Sequence, residues 1–87
     1  MHLKQAALTL KAMANIKRLE ILLYLSQNET SVGDLQQKIG LSQSALSQHL
    51  AVLRQAGLVQ TRRSKQQIFY RMENTLIKRI LNILTKD

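Results

Sequence analysis

Ser42–Ala56 reads S-Q-S-A-L-S-Q-H-L-A-V-L-R-Q-A, and Gly57 follows it. Set on a helix at about 100° per residue, this stretch divides into two faces. Leu46, Leu50 and Leu53 fall on one side at i, i+4 and i+7, with Ala45, Val52 and Ala56 at their flanks. The other side carries Ser44, Ser47, Gln48, Ala51 and Gln55, with Gln43 and Arg54 at its edge. That outer face has no acid. Its small and amide side chains allow close approach to a surface, and they can hydrogen-bond base edges: glutamine suits adenine, serine several bases. Ser42 is placed to cap the helix, Leu41 to staple onto Leu46, and Gly57 to take the left-handed position that ends it. The residue set is that of a helix lying in a DNA groove.

The chain leading up to this stretch supplies its partner. Residues 3–14 put Leu3, Ala7, Leu10 and Ala14 on one helical stripe, beside Ala6 and Met13, with Lys4 and Lys11 pointing away. Asn15 reads as the cap of the next helix. Residues 16–26, I-K-R-L-E-I-L-L-Y-L-S, are apolar at most positions after Arg18, so this helix is expected to be central. Gln27, Asn28, Glu29 and Thr30 read as a polar turn. Ser31 caps a short third helix, with Asp34 in the capping-box position, and Gly40 ends it. Two short helices across a tight glycine-containing turn, the second polar outside, make a helix-turn-helix.

Beyond Gly57 the texture turns to strand. Leu58–Arg63 and Gln67–Met72 are β-prone and partly alternating, with Ser64-Lys65-Gln66 between them. This predicts a two-stranded hairpin with a basic tip, a wing whose cations can reach phosphates or the minor groove. Asn74 then caps a last helix in which Leu76, Ile77, Ile80, Leu81, Ile83 and Leu84 make six of nine positions apolar. Such a helix is either buried within the single domain or shared with a second copy, and so short a chain has little with which to bury it. The expected architecture is mainly α with a small β-hairpin, a single winged helix-turn-helix domain over 1–87 in the order α-α-α-α-β-β-α.

Charge points the same way. The 87 residues carry a net charge of +8. Between Leu35 and Met72 lie six basic residues (Lys38, Arg54, Arg62, Arg63, Lys65, Arg71) and no acid. A charge run is often only a solvated face, but this one coincides with the polar helix, which favours a polyanion, most simply double-stranded DNA. No cysteine is present, so neither a disulfide framework nor a thiolate metal site is expected. No secretory core or long apolar run occurs, and the expectation is a cytoplasmic, nucleoid-associated protein with no membrane partner. No catalytic constellation is visible either, neither an activated nucleophile, nor paired carboxylates, nor a glycine-rich phosphate loop.

Four stretches carry a family resemblance: K-A-M-A-N-I-K-R-L-E-I-L (Lys11–Leu22), S-V-G-D-L (Ser31–Leu35), L-S-Q-S-A-L-S-Q-H-L-A-V-L-R-Q-A-G-L-V (Leu41–Val59) and I-F-Y-R-M (Ile68–Met72). The chain resembles the ArsR/SmtB family of winged-helix repressors along nearly its whole length, with the texture of the HlyU-like branch. The resemblance implies a homodimer built through the first and last helices and bound to an inverted repeat. It maps the DNA-reading helix onto Gln43–Ala56 and the wing onto Arg62–Gln67. The family's sensors do not carry over. Where metal-sensing members have a C-V-C pair, this chain has Ser31-Val32-Gly33. Where others place His and acidic ligands on the last helix, it offers Lys78, Arg79 and Asn82, with Glu73 just before it and Asp87 at its end, which is no cluster of ligands. Where HlyU-like redox members have a second-helix cysteine, it has Leu23. No metal and no cofactor is therefore expected.

The site expectations follow. Gln43, Ser44, Ser47 and Gln48 are base readers. Ser42, Arg54, Arg62, Arg63, Lys65 and Gln66 are backbone or minor-groove contacts. Leu3, Leu10, Leu76, Ile80, Ile83 and Leu84 form the dimer interface. His49, in the middle of the leucine face, reads as a packed histidine with one ring nitrogen hydrogen-bonded rather than as a ligand. Phe69 and Tyr70, adjacent on a strand, should face opposite sides, and Met13 and Met72 should fill core. Three functions compete: a sequence-specific regulator, an architectural or counter-silencing binder that displaces another protein from AT-rich DNA, and an interaction module that has lost DNA binding.

Overall fold

The computed structural model describes residues 1–86. The elements are α1 (Leu3–Met13), α2 (Ile16–Gln27), β1 (Thr30–Ser31), α3 (Val32–Ile39), α4 (Gln43–Gln55), β2 (Gln60–Ser64), β3 (Gln67–Arg71) and α5 (Thr75–Thr85). Polar side chains start the helices. Asn15 accepts from the Arg18 N–H, Ser31 from Asp34, Ser42 from Ala45 and Asn74 from Ile77, each satisfying a backbone donor the helix cannot.

One core holds them together. Ile21, Leu22 and Leu25 of α2 sit at its centre, meeting Leu35 of α3, Leu46, Leu50 and Leu53 of α4, and Ile77 and Leu81 of α5. Met13 and Met72 are buried among them. Leu58 and Val59, expected to open a strand, are buried in this core instead; β2 begins only at Gln60. Their side chains are the last anchor of the α4 end before the chain leaves for the wing.

The sheet has three strands in the order β1-β3-β2, all antiparallel, where two were expected. Thr30 pairs with Tyr70 and Ser31 with Phe69. Two polar residues carry no alternation by which a strand can be recognised, so this pairing is set by tertiary contact with β3. Ser64 pairs with Gln67, which tightens the loop to Lys65-Gln66 and puts Lys65 at φ +58°. Primed hairpin turns require a positive φ of this kind, normally from Gly or Asn.

The apolar faces of the two end helices are divided. In α1 the inward residues are Thr9, Ala12 and Met13, while Leu3, Leu8 and Leu10 point into solvent. In α5 Ile77 and Leu81 enter the core and Ile80 leans on it, while Leu76, Ile83 and Leu84 are exposed, the last two at 71% and 64%. The leucine stripe of α1 is thus not the face that packs on its own chain.

Candidate nucleic-acid interface

The turn between α3 and α4 sets the helix-turn-helix. Gly40 ends α3 in the left-handed region at φ +74°, its N–H bonded to the Gln36 carbonyl at 2.9 Å. Leu41 then tucks against the core, and Ser42 Oγ caps the Ala45 N–H at 3.2 Å. At the far end Gly57, also at φ +74°, closes α4 with two bonds. The Gly57 N–H reaches the Arg54 carbonyl at 3.0 Å, and the Leu58 N–H reaches the Leu53 carbonyl at 2.9 Å. That is a Schellman closure, with Leu53 and Leu58 both buried as its apolar contact.

Between these ends α4 is anchored by Leu46, Leu50 and Leu53. Its outer face presents Gln43, Ser44, Ser47, Gln48, Ala51 and Gln55, all exposed, with Arg54 exposed at the edge. The four expected base readers therefore lie together on one accessible surface. Ser42 Oγ, besides capping, lies 3.5 Å from Ser44 Oγ. A groove runs between α4 and the hairpin, lined by Val32, Ser47, Leu50, Ala51, Arg54, Gln55, Ile68 and Tyr70.

The wing's two arginines separate by the alternation of the strand. Arg63 is opposite Ile68, so it shares the sheet face that borders α4; Arg62 is opposite Phe69, on the other face. Arg62 is also engaged. Its Nε donates to both Glu29 carboxylate oxygens at 3.0 Å, and its Nη2 lies 2.8 Å from Oε1. Its guanidinium stands 4.7 Å above the centre of the Phe69 ring. Arg71 Nη1 approaches the same carboxylate at 3.9 Å, and its Nε meets Glu73 at 2.7 Å. The hydrogen bonds from Arg62, with the fields of both arginines, hold the Glu29 carboxyl below its ordinary pKa. Glu29 correspondingly raises that of Arg62.

The acid-free window of the sequence is thus not acid-free in space. Glu29 and Glu73, from either side of it, compensate two of its six cations. Arg54, Arg63 and Lys65 form no ion pair with any described residue. The sequence offered no means of finding Glu29, because it reached the wing through the β1–β3 pairing.

His49 is half-buried on the inner edge of α4, with Nδ1 3.4 Å from Arg18 Nη1. A guanidinium only donates, so Nδ1 accepts. Arg18 Nε also donates to the Ala12 carbonyl at 2.6 Å. Arg18 therefore links the end of α1, the start of α2 and α4, a role its place among apolar neighbours did not disclose. Among the described residues no three His, Cys, Asp or Glu side chains converge as a metal would require, and no helix is long and apolar enough to cross a membrane.

Comparison with known proteins places this geometry. Residues 15–61 match the model of the bacterial regulatory protein, arsR family. The transcriptional activator HlyU of Vibrio cholerae is 52% identical over 80 residues, which cover 92% of this chain and 74% of that protein. Its solved structure superposes with a TM-score of 0.86 over 93% of this chain and 88% of that one. NolR from Sinorhizobium fredii superposes with a TM-score of 0.90 at 51% identity, over 95% of this chain and 83% of that one. The homodimeric winged helix-turn-helix DNA-binding domain Mb0332 from Mycobacterium bovis superposes with a TM-score of 0.85 at 33% identity, over 94% and 76%.

Proposed function

We propose that this chain, which belongs to the arsR family of bacterial regulatory proteins, is a homodimeric, sequence-specific DNA-binding transcriptional regulator. The observation that carries this is the outer face of α4, a contiguous exposed patch of serine and glutamine without an acid, held by three buried leucines and flanked by cations that form no ion pair among the described residues. In a major groove Gln43, Ser44, Ser47 and Gln48 read base edges. Ser42 can keep its cap and still donate its O–H to a phosphate. Arg54, Arg63, Lys65 and Gln66 contact backbone or minor groove.

Dimerisation through α1 and α5 fits the exposed Leu3, Leu10, Leu76, Ile83 and Leu84, with Ile80 bridging from the core. A solved relative is homodimeric. A two-fold pair of α4 helices would meet an inverted repeat whose half-sites lie one helical turn apart, roughly 34–36 Å.

Two substitutions test the division of labour. Gln48→Ala should alter base preference, costing about 1–3 kcal/mol at the base it reads. Lys65→Ala should weaken binding to all sequences alike and flatten the salt dependence by about 0.9 log unit for each phosphate it no longer neutralises. Equal losses for both variants on specific and random duplexes would sink the assignment. Footprinting separates the regulator from an architectural binder: the first protects a short palindrome, the second spreads.

A further inference from the structure

We propose that Arg62 acts on DNA through Glu29 as a positioning residue, the pair clamping the wing to the root of the helix-turn-helix. This rests on α4 and the wing forming the DNA surface. Glu29 immediately precedes β1, and β1 ends at Ser31, the cap of α3. Arg62 lies on β2, with the whole width of β3 between it and Glu29. Its guanidinium crosses that width over the Phe69 ring and meets the carboxylate with two nitrogens. β3 is already paired with β1 and packed through Tyr70 against the core; the Arg62–Glu29 bond ties the outer strand β2 as well to the element that launches α3 and α4.

Three features set Arg62 apart from a phosphate ligand. Its Nε and Nη2 are already directed at one carboxylate, in the bidentate manner to which a guanidinium is suited. It lies on the sheet face turned away from α4, whereas Arg63 shares the face that borders the α4 groove. Arg71 approaches the same carboxylate and is itself held by Glu73, so the cluster balances two cations with two anions. The cations left for DNA on the wing are Arg63 and Lys65, and the clamp sets where they point.

The test uses Glu29→Gln, Arg62→Gln and the double variant of the full chain. Affinity for a labelled random-sequence duplex is measured over a range of salt, and active protein is counted by stoichiometric titration. Glu20→Gln, which removes the same charge from α2, corrects for net charge. If the pair positions the wing, each single variant loses roughly five- to tenfold, about one neutralised phosphate at 0.1 M salt, and the double variant loses no more than either. If Arg62 is itself a phosphate ligand parked on Glu29, Glu29→Gln instead tightens binding and steepens the salt slope, and the proposal fails. It also fails if melting temperatures fall while affinity and slope stay unchanged. Absence of binding by the wild-type protein would count against DNA binding itself rather than against the clamp.

Discussion

At the scale of single residues, two features expose their energetics to direct measurement. Gly57 sits at φ +74° with nothing within 4 Å of where a Cβ would lie. Gly57→Ala therefore meets no clash, only backbone strain, and urea unfolding should show a loss of about 1–2 kcal/mol with an unchanged slope. Glu29 gives a pH signature. Its carboxyl is held below the ordinary value, so its contribution to stability is present above the unfolded pKa and is lost as pH falls through the folded one. The melting-temperature gap between wild type and Glu29→Gln should thus persist at about pH 7 and shrink at about pH 3, on either side of the ordinary Glu value of about 4.3. A gap that widens in acid would reverse the assigned sign. Lys65 at φ +58° holds a left-handed backbone in which glycine or asparagine would sit more easily.

At the scale of elements, α4 is where sequence and structure agree most closely. Its Ser42 cap, its Leu46–Leu50–Leu53 face and its Gly57 stop all depend on residues within the helix or one turn from it. Such local signals survive folding unchanged. The inner and outer faces should also separate by experiment. Leu53→Ala should cost about 2–5 kcal/mol in chemical denaturation, because the residue is fully buried. Ser47→Ala, exposed on the outer face, should leave stability within about 0.5 kcal/mol and change only DNA preference. The sheet was less legible. Thr30 and Ser31 form a strand only because β3 offers them a partner. Leu58 and Val59 have strand-like side chains, yet burial claims them. The apolar stripe on α1 was visible, but periodicity alone does not say whether such a face turns inward or outward.

At the scale of the whole molecule, the winged helix-turn-helix architecture and the order of every element but β1 were legible, and the charge pattern only partly so. A window without acids in sequence acquires Glu29 and Glu73 once the strands assemble, and Arg62 joins that cluster. Long-range ion pairs leave no periodic trace in a single chain, which is why Arg62 read as one more basic residue of the wing. The exposed leucines and isoleucines of α1 and α5 make a whole-molecule prediction. Ile83→Glu, whose side chain lies outside the protomer core, should yield folded monomers by sedimentation with a large loss of DNA affinity. A variant that stays dimeric would place the interface elsewhere.

The most direct test of a dimer reading DNA through α4 is selection of bound duplexes from a random pool by the wild-type protein. The expected result is an inverted repeat whose half-site centres are about 10–10.5 base pairs apart, or a multiple of that spacing. Recovery of a single unrepeated site, or of no enriched sequence at all, would contradict it.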